Sequence, residues 1–233
     1  MHRIYLKNRS SQSYWVCDIV DGKKIAKISK KGKIKLKKGI NSAGLIDEIN
    51  FALKQTQQAW KKHYYNYLKT YNQQYSDLKN YKFPAFAPAL RLKKCPKDIY
   101  QRKVYLHPKA RKAWLKMQKA AAQEGIKLQI VSAYRSLSYQ KQLIENKRKQ
   151  GQTLSQILRV NTLPGFSQHH TGCAIDITAN NAAVLTAEFD QSQAFVWLQK
   201  HGKNYGFSMT YPQNNTTGIC YEPWHWYYSK TKN

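Results

Sequence analysis

SQHHTGCAID, residues 167–176, is the stretch that decides how this chain is read, and YEPWHW, residues 221–226, is its counterpart near the C-terminus. Ala174–Thr178 has the composition of a short strand, and so does Ile219–Tyr228. The two motifs, carrying His169, Asp176, Glu222 and His225, bring imidazoles and carboxylates toward one point. Acids are scarce, with twelve Asp and Glu against forty Lys and Arg. Two of them inside such short motifs read as a divalent-metal site with a base beside it.

Working outward, Ile126–Ala133 alternates as a strand and delivers Tyr134, Arg135 and Ser136 at its end. Pro108 opens a helix that runs through Trp114 and Met117 to a stop at Gly125. A polar helix over about 138–149 carries Gln140 in its first turn, and residues 152–160 form another short helix. Ala194–His201 is an amphipathic helix stopped by Gly202, and Tyr205–Tyr211 is a strand. Strands and helices are intermixed rather than regularly alternating. The expected class is therefore α+β, with a small, mainly antiparallel sheet flanked by helices.

The Pro-broken stretch 82–90 reads as a linker and sets the expected division. Residues 85–233 form the catalytic domain, 42–84 a long helix and linker, and 1–41 a small basic β module. In the module, Ser13–Val20 and a Lys ladder over 23–38 predict a three-stranded meander, with a hairpin turn at Asp21-Gly22. The helix over 43–80 is capped by Ser42 and presents a seam through Ile49, Leu53, Trp60, Tyr64, Tyr67 and Tyr71.

The formal charge of +28 attracts polyanions, either nucleic acid, anionic lipid or an anionic wall polymer; it equally describes a solvated Lys-rich surface. No recognition-helix or RNP pattern accompanies the charge, so no dedicated nucleic-acid site is expected. No apolar run long enough for a membrane span occurs, and the first residues lack the apolar core of a signal peptide. The four cysteines show no C-x-x-C spacing. Cys173 lies inside the first motif and Cys220 just before the second, so they could pair as a disulfide outside the cytoplasm, or remain free thiols.

His169, Asp176 and His225 offer two nitrogens and a carboxylate, a donor set that suits zinc and leaves a position for water. Glu222, three residues before His225, then acts as the base that takes a proton from that water. In a regular strand residues 222 and 225 face opposite sides, but Pro223 cannot donate to a ladder, so an irregularity is expected there. Trp224 and Trp226 would wall the site. His170 could replace His169; spacing alone does not choose.

Ser167-x-His169-x-x-Gly172-x-Ala174-x-Asp176, followed by Glu222-Pro-Trp-His225, resembles the VanY-like D-alanyl-D-alanine carboxypeptidase family of zinc peptidoglycan peptidases. Further matching stretches are Ser132–Ser136 with Gln140, Trp197-Leu198 leading to Tyr205–Phe207, and Tyr211-Pro212 before Thr217–Ile219. The resemblance spans roughly residues 95–230. It implies one zinc per chain on His169, Asp176 and His225, selecting His169 over His170, with Glu222 as catalytic base. It implies that Arg135 meets the substrate's terminal carboxylate or the developing oxyanion, a role a guanidinium suits. It also puts Gln140 and Ser167 in the substrate pocket. The expected substrate is a peptidoglycan stem peptide losing a terminal D-alanine, which implies a periplasmic, cell-wall or extracellular location. Endopeptidases of the group carry an Asp-containing final motif ending in His-Phe, so the Trp226 ending resembles the carboxypeptidase branch. An endopeptidase or lysin and a non-catalytic wall-binding protein are the competing readings.

Overall fold

The computed structural model describes residues 4–10, 13–18, 23–29, 31, 33–40, 45–47, 49, 66, 68–70, 72–73, 83–89, 92–180 and 182–229. In chain order the strands are β1 (Ile4–Ser10), β2 (Ser13–Asp18), β3 (Lys24–Ile28), β4 (Ile34–Leu36), β5 (Lys93–Lys94) and β6 (Tyr105–Leu106). Helix α1 (Pro108–Gln123), strand β7 (Leu128–Ser132) and helices α2 (Leu137–Lys149) and α3 (Leu154–Leu158) follow. The chain closes with β8 (Ala174–Ala179), α4 (Gln193–His201), β9 (Phe207–Met209) and β10 (His225–Tyr228). Helices and small antiparallel sheets are mixed, which is the α+β class expected.

The sheet that carries the site has the order β7-β8-β10-β9, with every pairing antiparallel. Strand β8 lies inside this sheet, and all six of its residues are buried. Helix α1 packs beside it because Ala110, Trp114, Met117 and Ala121 recur on one face and are buried. Burying side chains as large as Trp114 and Met117 contributes roughly 1.5–3 kcal/mol each. Proline at the first helical position and the His107 ring, which accepts from the Lys109 N–H at 3.3 Å, set where the helix begins. The Ser136 hydroxyl caps α2 by accepting from the Tyr139 N–H at 3.1 Å. A reciprocal Thr153–Gln156 capping box starts α3.

The last strand is shorter than the 219–228 expected, because the ladder begins only at His225. Pro223 brings no N–H to a ladder. Residues 222–225 instead turn, with the His225 N–H donating to the Glu222 carbonyl at 3.1 Å and the Ile177 N–H to the Trp224 carbonyl at 2.9 Å. Strand β9 is also shorter than expected, since residues 202–205 wind into a 3₁₀ turn ended by Gly206.

The N-terminal sheet has four strands in the order β1-β2-β3-β4, one more than the three expected. The sequence of β1, IYLKNRS, lacks the aromatic and β-branched density that marks β2. The hairpin at 21–22 and most of the 43–80 helix lie outside the described residues; 45–47, 49, 66 and 68–70 are helical. Val16, Ala26 and Ile28 form this sheet's core with Leu45 and Ile49. Cys17 and Leu68 instead join Leu137, Ile144, Ile157 and Leu163 in a second cluster, so β2 packs against the α2–α3 side.

Residues 83–89, expected as a linker, are irregular but bonded to the motif region. The Phe86 N–H donates to the Gly165 carbonyl at 2.7 Å, and the Ala89 N–H to the His170 carbonyl at 2.6 Å. Asn72 ties the preceding helical segment to the same loop through the Pro164 carbonyl at 3.0 Å.

Candidate metal centre and cleft

Three strands bring the central residues together. Asp176 on β8 stands opposite His225 on β10, and on its other side opposite Ser132, just past a register shift in β7. Such an irregularity re-aims the chain that follows, and here that chain carries Arg135. His169 arrives from a 3₁₀ turn, Gln168–Thr171, whose start is capped by the Ser167 hydroxyl accepting from the His169 N–H at 3.3 Å. Gly172 ends the turn at φ +66°. A Cβ there would stand 2.8 Å from a Leu92 methyl and 2.9 Å from the His107 backbone nitrogen, so only glycine fits.

His169, Asp176 and His225 each offer a ligand atom, all within 4.8 Å of one another and all buried. The His169 Nδ1–H donates to the Ala133 carbonyl at 2.7 Å. That fixes the tautomer and leaves Nε2 as a bare lone pair. This Nε2 is buried, has no hydrogen-bond partner, and lies 3.3 Å from Asp176 Oδ2. His225 Nδ1 is 3.0 Å from Asp176 Oδ1, and the two imidazoles meet edge to face with centroids 4.9 Å apart. A buried lone pair aimed at a carboxylate is costly in isolation. A divalent cation between them satisfies all three groups, so these residues fit a metal.

Electrostatics agree with that fit. Burial holds the His169 imidazole down to about 4, with the Arg135 guanidinium next in effect, so its ring is neutral near pH 7. Burial alone would push the Asp176 carboxyl up, but His169 and His225 outweigh it and hold it well below the usual carboxylate range. An anionic carboxylate beside neutral imidazole is the protonation state that binds metal.

His170 is spent on structure. Its Nδ1–H donates to the Arg135 carbonyl at 2.7 Å, and its Nε2 accepts from the Gly165 N–H at 3.0 Å. Both ring nitrogens are used, which leaves none for an ion. The two rings thus differ in what they offer: His169 keeps one nitrogen without a hydrogen-bond partner, and His170 keeps none.

Glu222 is buried in the turn before β10, with Oε2 3.9 Å from His225 Nδ1. The turn puts residues 222 and 225 on one side, as the irregularity expected at Pro223 required. Burial, then the nearby Asp176 charge, pushes the Glu222 carboxyl up to about 8; Arg135 and Lys147 pull the other way. A carboxyl tuned toward neutrality in a cleft is suited to accepting and returning a proton.

Arg135 projects toward the same point. Its Nη2 is 3.9 Å from Asp176 Oδ2, its Nη1 donates to Gln140 Oε1 at 3.2 Å, and its Nε is buried without a partner. The cleft measures about 640 Å³ and its lining includes Arg135, Tyr139, Lys147, Ser167, Tyr211 and Trp224.

Gln140 lines the cleft, but it is fully buried and its amide is committed to Arg135 and to the Thr162 carbonyl at 2.8 Å, so it holds the guanidinium. Trp226 does not wall the cleft; it is buried in the main core and its Nε1–H donates to the Pro223 carbonyl at 2.9 Å. It follows His225 directly on β10, and adjacent strand residues point to opposite faces. Cys173 and Cys220, weighed as a disulfide pair, are both free thiols.

Sequence reasoning did not single out Lys147 or Gln168. Lys147 lies seven residues after Gln140 on α2, the spacing that returns to the same helix face. Gln168 lies between Ser167 and His169, and an amide at that position carries no ligand chemistry of its own.

Known proteins resemble this chain over about half its length. A family model described as VanY, D-alanyl-D-alanine carboxypeptidase, matches residues 103–231. YodJ of Bacillus subtilis (strain 168), named for carboxypeptidase activity, is 35% identical over 132 residues, covering 53% of this chain and 46% of that protein. The chain thus spans about half of YodJ. The bifunctional D-Ala-D-Ala dipeptidase and D-Ala-D-Ala carboxypeptidase VanXYC of Enterococcus gallinarum is 33% identical over 130 residues, covering 54% of this chain and 67% of its own. Among solved structures, the LdcB LD-carboxypeptidase superposes with a TM-score of 0.56 at 31% identity, over 62% of this chain and 71% of that one. With the VanY model matching more than half its length, this chain belongs to the VanY D-alanyl-D-alanine carboxypeptidase family.

Proposed function

We propose that this chain is a zinc-dependent carboxypeptidase that removes a terminal D-alanine from a peptidoglycan stem peptide. The observation that carries the reading is the bare, buried Nε2 of His169 facing Asp176 and His225, with buried Glu222 beside them. His169, Asp176 and His225 would hold one zinc ion per chain. When bound, zinc supplies Lewis-acid polarisation of the scissile carbonyl and lowers the pKa of a water.

The chain's own residues do the rest. Glu222 takes the proton from the attacking water and returns it to the leaving amine, so one carboxyl serves as base and then as acid. Arg135, held by Gln140, pairs with the substrate's terminal carboxylate and fixes the register of the last peptide bond. The Ser167 hydroxyl accepts from the His169 backbone, which leaves its own hydrogen to donate into the cleft. Trp224 provides an apolar wall for the alanine methyl. Work on wall peptides implies a cell-wall or extracellular setting, and the basic N-terminal sheet would sit against anionic wall polymers. Among the described residues no helix is long and apolar enough to cross a membrane.

Relatives named for D-Ala-D-Ala and for LD cleavage both resemble this chain, so stems whose terminal D-alanine follows a D- or an L-residue are the two candidate substrates. Incubating purified muropeptides with the protein and weighing the products tests the reading. Loss of one alanine from a pentapeptide stem supports D,D-cleavage, and loss from a tetrapeptide stem supports L,D-cleavage. Cleavage inside the stem would make the protein an endopeptidase, and no change in any muropeptide would favour a wall-binding role.

A further inference from the structure

We infer that Gln168 and Thr210 form a positioning pair that sets the tautomer of His225 for metal binding. The inference rests on the zinc reading above and adds to it how the third ligand is prepared. His225 differs from His169 in a telling way. His169 turns Nε2 to the cluster and anchors Nδ1 on a backbone carbonyl, while His225 turns Nδ1 to the cluster. Its Nε2 therefore needs an anchor of its own, and the anchor is a side chain: Gln168 Oε1 lies 2.9 Å away.

An imidazole that gives its Nδ1 lone pair to a cation carries its proton on Nε2 and must donate it to an acceptor. The amide oxygen of Gln168 is that acceptor. It also accepts from the Thr210 hydroxyl at 2.8 Å, which holds the amide with its oxygen toward the ring. Thr210 is itself placed by β10, since its N–H donates to the His225 carbonyl at 3.4 Å. Gln168 is held in turn by the 3₁₀ turn that carries His169, whose Thr171 hydroxyl donates to the Gln168 carbonyl at 2.6 Å. One short turn thus carries the first ligand and the residue that orients the third, joining SQHHTGCAID to YEPWHW without passing through the metal.

Chemistry distinguishes substitutions at 168. Leucine fills similar space but accepts nothing, so the Nε2–H is left unpaired and the ring loses its preferred tautomer. Glutamate accepts as the amide oxygen does and favours the Nε2–H form.

The test measures zinc affinity of the purified full chain by competition with a chelator, together with the visible absorption of the cobalt-substituted protein and the melting temperature without metal. Loss of an outer partner of a ligating imidazole weakens metal binding by about 10–100-fold. Gln168→Leu is expected to fall in that range with an altered cobalt spectrum, and Gln168→Glu to stay within about threefold of the parent. Thr210→Val should weaken zinc less, with the metal-free melting temperature little changed. It serves as the second variant should Gln168→Leu fail to fold. Parent-like zinc affinity in Gln168→Leu or, if that variant is unfolded, in Thr210→Val overturns the inference. So does a loss in Gln168→Glu as large as in Gln168→Leu. A parent protein that binds no zinc at all would instead overturn the metal reading itself.

Discussion

Replacing His170 by alanine separates the two adjacent histidines by what each does. The native ring joins two backbone groups, the Arg135 carbonyl at 2.7 Å and the Gly165 N–H at 3.0 Å, inside a fully buried site. Alanine leaves both without partners. A buried backbone group stripped of its partner costs about 1–3 kcal/mol, so the pair predicts a loss of about 2–6 kcal/mol, before any cavity contribution. Against a total stability of about 5–15 kcal/mol this is a large fraction, and melting should fall by on the order of 10 °C. His169→Ala removes one bonded nitrogen and the orphaned Nε2 together, so metal-free His169→Ala should be the more stable of the two variants. The assay is denaturant unfolding of chelator-treated parent, His169→Ala and His170→Ala, with zinc content measured on the folded proteins. His170→Ala should keep its zinc and His169→Ala should lose it. A cost below about 1 kcal/mol for His170→Ala would refute the structural role, since even one unpaired buried group should exceed it. Zinc lost from folded His170→Ala but kept by His169→Ala would refute the ligand assignment.

Glu222→Gln keeps the side chain's shape but not its basicity, so zinc content should match the parent while alanine release drops by about 10²–10⁴-fold; activity near the parent's would remove Glu222 from proton transfer. Metal-free protein should lose stability in acid. Burial holds His170 down to about 3 and His169 down to about 4, whereas the unfolded chain takes up those protons near the ordinary 6.5. Their contribution is therefore complete above about pH 6.5, falls progressively below it, and is gone once pH has dropped through about 4 for His169 and about 3 for His170, which unfolding midpoints measured from about pH 7 to pH 3 will show. Gly172→Ala forces a left-handed backbone on a residue whose Cβ would press on Leu92 and the His107 backbone, so a loss of roughly 2–4 kcal/mol and weaker zinc binding are expected. A Gly172→Ala protein with unchanged melting and zinc affinity would show that the turn tolerates a side chain.

Much of the site could be read from residue types alone, because ligand chemistry limits what a buried His, Asp and Glu can do. Asp176 and His225 fall opposite one another on adjacent strands, as two motif strands suggested. What the letters could not supply was partnership. His169 and His170 are identical in type, and what separates them physically is the Ala133 and Arg135 carbonyls, brought in from a distant strand end, and the Gly165 N–H of the preceding loop. Gln140 shows the same limit. Its place beside the cleft was legible, but its use as a clamp on Arg135 depends on the Thr162 carbonyl across the cleft wall. Trp226 was misplaced because the expected strand began too early. With the turn at Pro223 the ladder starts at His225, and its alternation sends the indole into the core. β1 was missed for want of apolar alternation, since its pairing is set by β2 alongside it.

The central claim is that hydrolysis of a terminal D-alanine bond depends on a zinc ion held by His169, Asp176 and His225. The most direct measurement follows D-alanine release from synthetic peptides ending in D-alanine, before chelation, after chelation, and after adding back zinc at one equivalent per chain. The account predicts release that stops on chelation and returns with zinc in the parent, and that zinc does not restore in His225→Ala. Sustained release from metal-free protein would contradict it.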